Sequence, residues 1–324
     1  MNAENAPIHA VLLDQNGGGE NLNWEQVLAT PSAQGTLWLH LDYSEPTVQQ
    51  WLNAQEDLSP IVVDALLMAE TRPRVAGIHD GLLLVLRGID HTEGAEADDM
   101  VAVRVWSDGH RVITTSRRRV WALEDIATSL AAGNGPGNAA ELVAELASQL
   151  ASYMEDTVND MADRMDEHED RMLGGDTEGL RYALAQLRRQ TIGLHRYLLP
   201  QRDALAHLTL IKMAWLDENA RLQIRESGDR IVRYIEDLDS VRDRAIVTHE
   251  ELLSRVSEQL NKRMYVLSVV AAIFLPLSFL TGLFGVNVGG LPGLGSATAF
   301  WVFSFVLLLV VGFQVVLFRW MKWF

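Results

Sequence analysis

The sequence predicts an α+β soluble domain that feeds a long stalk helix and ends in two membrane-spanning helices, and three observations predict it. Short runs rich in Val, Ile, Leu and Trp crowd the first third of the chain. Helical spacing then continues with few breaks. Between 264 and 318 there is no Asp, Glu, Lys or Arg, although the rest of the chain is densely charged. The 324 residues suffice for one sizeable soluble domain and a small membrane portion.

Strands are expected at 8–13, 36–42, 81–90, 100–106 and 111–115, where β-branched and aromatic residues cluster between turn residues. From 120 onward the pattern is helical, with breaks expected at 133–137, at Gly174 and Gly175, and at Pro200. These segments make up a domain over 1–216. No basic-then-apolar stretch opens the sequence, so this domain is expected to stay in the cytoplasm.

The stalk is expected over 217–263, continuous with the first span. No proline interrupts 217–275, and Gly228 is the sole glycine there. At ~1.5 Å per residue, one helix running to Phe284 extends about 100 Å, well beyond a bilayer. Ile231, Ile235, Leu238, Ala245, Leu252 and Val256 recur at steps of three and four, so neighbouring helices must cover them. Arg242 and His249 fall on the same stripe, which argues against a simple coiled coil and for packing against mixed surfaces.

The spans are expected at 264–284 and 297–318, each about 20 residues, enough to cross a hydrocarbon core of about 30 Å. Glycines, Pro292 and Asn287 mark 285–296 as a short loop, which lies in the periplasm if the membrane is a bacterial inner one. Lys262 and Arg263 precede the pair, and Arg319 and Lys322 follow it, the latter two in a tail over 319–324. The positive-inside rule therefore puts both flanks, and both termini, in the cytoplasm.

A pure anchor needs only apolar residues, yet the first span carries Ser268, Pro276, Ser278, Thr281 and Gly282. Alternating steps of three and four pick out Asn261, Met264, Ser268, Ala271, Leu275, Ser278 and Gly282, a smaller and more polar face than Phe274 and Phe279 beside it. Two spans cannot enclose a channel, so this face points to a cyclic oligomer around a shared pore. The same register in the stalk gives Ser257, Ser254, Glu250 and Asp243, residues that would line a cation-attracting vestibule. Pro276 also lacks an N–H and frees the carbonyl of Ala272, either to line a cavity or as an ordinary kink.

A net charge of -16 argues against nucleic acid and suits cations. With no cysteine, any metal must use histidine, carboxylate, amide, carbonyl or water oxygen ligands. His249 beside Glu250 reads either as a packed histidine of the stalk or as the candidate for a metal-contacting or pH-sensitive position. His168 sits in an acidic run with Glu155, Asp156, Asp160, Asp163, Asp166, Glu167, Glu169 and Asp170, which reads either as a regulatory ion site or as a solvated helix face. The spans hold no His, Asp, Glu, Lys or Arg, and hence no proton carrier of the sort pumps use. No phosphate-binding loop is present, so transport would follow a gradient, and no tightly bound cofactor is expected.

A charged helix, a first span ending in Gly285-Val286-Asn287, a short outer loop and a second span with a basic tail resemble the CorA family of divalent-cation transporters. Val286 in place of the commoner methionine, the continuation Val288-Gly289-Gly290-Leu291-Pro292-Gly293, and the segments Trp38-Leu39-His40-Leu41-Asp42 and Arg72-Pro73-Arg74 are similar to the ZntB branch, associated with zinc. The resemblance implies a funnel-shaped homopentamer in the bacterial inner membrane, a pore lined by the first span, an outer mouth at Gly285, Val286 and Asn287, and zinc as transported ion. A ring of Asn287 amides would meet a hydrated cation without the desolvation cost of charged groups. Three alternatives stay open: a magnesium, cobalt or nickel channel of the same architecture, a membrane-tethered enzyme, and a non-conducting scaffold. No nucleophile-base pair supports the enzyme.

Overall fold

A computed structural model describes residues 9–29, 35–92, 94–286 and 295–321. The chain forms two compact units, Met1–His249 and Glu250–Phe324.

The first unit is built on a seven-stranded sheet of order β2-β1-β3-β7-β6-β5-β4. Its strands are β1 (His9–Leu13), β2 (Gly19–Asn21), β3 (Leu37–Asp42), β4 (Arg74–Ile78), β5 (Gly81–Ile89), β6 (Met100–Ser107) and β7 (Arg111–Ser116). Neighbours are antiparallel except β3 and β7, which run parallel. The five expected strands are present. β2 and β4 are additional, and both lie at the edges, where half-exposed residues carry little hydrophobic signal.

Alternation splits the central strands between two layers. Leu37, Leu39 and Leu41 of β3 pack with Val48 and Leu52 of α2 (Pro46–Asn53) and with Val62 and Leu66 of α3 (Pro60–Leu67). α1 (Trp24–Ala29) adds Val27 to that cluster. The second layer comprises α4 (Trp121–Ala131), α5 (Ala139–Leu173) and α6 (Leu180–Leu210). Asn138 caps α5 by accepting from the Glu141 N–H at 3.0 Å, and the Glu141 carboxylate returns to the Gly137 N–H at 2.7 Å. Gly88 permits close approach of α5, since a Cβ there would lie 2.6 Å from Leu150. Arg87 lies on β5 beyond the end of β4, and Gln201 of α6 takes the missing strand's place: its Oε1 accepts from the Arg87 N–H at 2.6 Å and its Nε2 donates to the Arg87 carbonyl at 3.1 Å.

The break expected at Pro200 does not occur, and α6 runs through it. Buried Leu194, Leu198, Gln201 and Leu205 hold the helix on both sides of the missing hydrogen bond.

α7 is one helix over Glu218–Gly285, 68 residues long. Of its stripe, Ile231, Ile235, Leu238, Ala245 and Leu252 are buried, whereas Val256 is exposed. The buried line passes through Val241 and Thr248, so Arg242 and His249 lie one position off it, at partly exposed sites. Polar ties join α7 to the second layer. Arg230 donates to the Ser148 and Ser152 hydroxyls at 2.9 and 3.0 Å, Tyr234 donates to Glu155 at 3.1 Å, and Asp239 meets His195 at 3.4 Å.

The second unit contains the end of α7 and α8 (Ala299–Trp320). Both helices carry stretches long and apolar enough to cross a membrane, and almost all side chains of those stretches face outward. In α8 only Gln314 and Phe318 are buried.

Candidate functional site: the paired spans

In the spanning part of α7, the side chains that α8 leaves least exposed are Val269, Ala272, Ile273, Leu277 and Leu280. At about 100° per residue, these positions centre on one side of the helix. Met264, Ser268, Ala271, Leu275, Ser278 and Gly282 centre on nearly the opposite side, and all are exposed, as is Asn261 below them. The six thus share a face turned away from α8, free to meet water or another copy. It offers two hydroxyls and one thioether and no charge, so a divalent ion passing along it would keep most of its hydration shell. Phe274 and Phe279, 62% and 66% exposed, flank this face on either side. The Thr281 hydroxyl turns back to its own helix, donating to the Leu277 carbonyl at 2.9 Å.

Pro276 leaves the Ala272 carbonyl without its helical partner. The structure fills the vacancy from the second span: Gln314 Nε2 donates to that carbonyl at 3.3 Å. The carbonyl therefore points into the contact between the helices and does not line a cavity. Gln314 is 8% exposed, and its Oε1 has no hydrogen-bond partner among the described residues. Sequence reasoning passed over Gln314 because it sits alone in an apolar run. The available signal was that the run's one amide accompanies a proline whose freed carbonyl needs a donor.

At its C-terminal end, Gly285 closes α7, and Val286 follows it, 49% exposed. Asn287 lies outside the described residues. Phe284 and Phe303 bring the two helices together there, their rings 5.0 Å apart.

The predicted inner approach falls on exposed positions of α7. Within the first unit, Asp243 is exposed and accepts from Arg242, with their nearest atoms 2.9 Å apart. Within the second, Glu250, Ser254 and Ser257 are exposed, and Glu251 pairs with Arg255 at 2.7 Å. His249 is half-buried.

Half of the acidic run on α5 is tied up. Arg244 bridges Asp166 and Glu169, Arg164 lies 3.6 Å from Asp160, and Glu155 accepts from Tyr234. The two carboxylates hold the Arg244 guanidinium well above its usual range. His168 faces inward, 7% exposed, and desolvation pushes its pKa down. Among the described residues no group of three or more His, Asp or Glu side chains is placed to hold a metal ion.

The chain matches the family described as CorA-like Mg2+ transporter protein over residues 33–322. It is 36% identical to the divalent cation transporter CmaX of Pseudomonas aeruginosa, across 99% of this chain and 97% of that protein. It is 35% identical to the zinc transport protein ZntB of Pectobacterium carotovorum, across 94% and 92%. The full-length CmaX structure superposes with a TM-score of 0.88 over 99% of both chains. The magnesium transporter CorA of Methanocaldococcus jannaschii, 17% identical, shares the fold with a TM-score of 0.82 over 98% of this chain and 99% of that one.

Proposed function

This chain belongs to the CorA family of divalent-cation membrane transporters, and from that premise we propose that it carries zinc across the bacterial inner membrane through a homopentameric pore lined by the first span. The observation that carries the pore is the uncharged face of Met264, Ser268, Ala271, Leu275, Ser278 and Gly282, exposed on the side of α7 away from α8. An oligomer closed on that face would leave α8 outside, where its Phe, Leu and Val side chains meet lipid. Gly285, Val286 and Asn287 form the outer mouth in this reading, and Asp243, Glu250, Ser254 and Ser257 form the inner approach.

Zinc is favoured over magnesium, cobalt and nickel by the relatives named zinc transport protein ZntB at 33–35% identity. The lining itself does not discriminate, because neutral oxygens at the surface of a hydrated ion suit magnesium as well as zinc. Both termini lie in the cytoplasm in this reading, because basic residues flank both outer ends of the span pair. The spans carry no His, Asp, Glu, Lys or Arg, so coupling to protons would use a group outside them, and His249 beside Glu250 is the candidate.

The test is flux through purified protein in liposomes, with zinc, magnesium, cobalt and nickel offered in turn, with and without a pH gradient. Zinc flux above that of the other ions supports the assignment. Equal or greater magnesium flux returns the chain to the general divalent class, and absence of flux for every ion leaves a scaffold.

A further inference from the structure

A second kind of site lies in the first unit, independent of the ion the spans carry. In a chain with 43 acidic and 27 basic residues, arginine gathers around a cavity of about 550 Å³ lined by Glu70, Thr71, Arg72, Arg87, Arg196 and Tyr197. That volume falls in the range of small-molecule pockets. Arg87 and Arg196 both lie against the Tyr197 ring, their guanidinium carbons 4.4 and 4.7 Å from its centroid.

Positive charge exceeds negative here, and at Arg87 it is fixed in place. Arg87 donates to the Thr71 and Met100 carbonyls at 2.7 and 2.9 Å, so its guanidinium is held at the wall with no freedom to swing out. Arg104, 1% exposed, donates to the Ala69 carbonyl at 3.1 Å on the same connecting segment. Among the described residues neither forms an ion pair with a carboxylate, and neither do Arg72 and Arg196. Burial pushes the Arg87 guanidinium below its usual range, and the nearby Arg196 adds to that. Glu70 offers the single opposing charge in the lining. Buried guanidinium groups are normally matched by anions, and carbonyl dipoles supply only part of that compensation.

We infer that this cavity is a binding site for a soluble anion bearing a diphosphate, with Arg72, Arg87 and Arg196 as its ligands. Three forked donors around one cavity suit the several oxygens of a diphosphate better than a monovalent ion. Arg87 is the preorganised member, and Arg72 and Arg196, exposed at the rim, close on the ligand.

The experiment is calorimetric titration of the full-length protein in detergent with sodium pyrophosphate and with ADP, in EDTA so that divalent ions play no part, against chloride at matched ionic strength. The expected result is saturable binding of one pyrophosphate or ADP per chain. Chloride should give none, and Kd should rise at least tenfold in Arg72→Gln/Arg196→Gln and measurably in Arg196→Gln alone. Both substitutions are at exposed positions, and an unchanged elution and unfolding profile confirms the fold. Absence of saturable binding by either probe, or equal affinity in wild type and the double variant, overturns the proposal.

Discussion

Substituting Gln314→Leu removes the donor that the second span lends to the first at Ala272. Two effects then oppose one another. The Ala272 carbonyl is left unpaired inside the helix contact, but the buried Gln314 Oε1, itself without a partner among the described residues, disappears as well. Interhelical hydrogen bonds in membranes contribute ~0.6 kcal/mol on average and up to ~1.7 kcal/mol. The 3.3 Å separation places this one in the lower part of that range, and removal of the unmet acceptor offsets part of the loss. A net destabilisation below about 1 kcal/mol is expected, too small to interpret alone. The informative quantity is the coupling with Pro276→Ala, which supplies the missing backbone N–H and so gives Ala272 a helical partner. In that background Gln314→Leu should cost less by roughly 0.6 kcal/mol or more. The assay is reversible unfolding of the four proteins in mixed micelles. Equal losses from Gln314→Leu in both backgrounds would refute the claim that the amide serves the proline.

Asn287→Ala should impair zinc uptake into liposomes while the oligomer elutes unchanged, and undiminished flux would remove the asparagine from the mouth. Glu250→Gln should weaken divalent-ion binding at low salt and have little effect at high salt, as screening of an exposed charge requires; an unaltered titration would dismiss the inner approach. His40 is buried between β1 and β7, and desolvation followed by the neighbouring His9 lowers its pKa from 6.5 to about 4. The unfolded chain therefore holds a proton between those pH values that the folded chain does not. Its contribution to stability is complete above pH ~6.5 and is lost as the pH falls toward ~4, about 3 kcal/mol in all. Denaturant midpoints across that window should fall less steeply in His40→Gln; parallel curves would contradict the assignment.

The strands with a buried centre were legible because alternation or a continuous apolar run survives wherever a strand is covered. Leu37 to Leu41 and Leu82 to Leu86 are examples. β2, with the sequence Gly-Glu-Asn, carries no such mark, since pairing along β1 is all that makes it a strand. The stalk stripe was legible as a period but not to the residue. Steps of three or four fit Arg242 as well as Val241, and only the packed neighbours choose the valine. Pro200 misled because a missing N–H is a local cost, whereas the packing of α6 on the sheet is a tertiary gain. Within the spans, composition exposed the polar face of α7, but the partner of Ala272 lies 42 positions away and depends on how two helices meet. The arginine cavity was invisible for the same reason, as its three arginines come from separate segments joined only by the fold.

The chain contains no cysteine, so single reactive thiols can be placed along the first span and probed with a charged, water-soluble methanethiosulfonate during zinc flux. Ser268→Cys and Ser278→Cys are expected to react and to block the flux, while Val270→Cys and Phe279→Cys are expected to react slowly or leave transport intact. Block at Val270→Cys and Phe279→Cys with the two serine positions unreactive would put the polar face against lipid and contradict the pore.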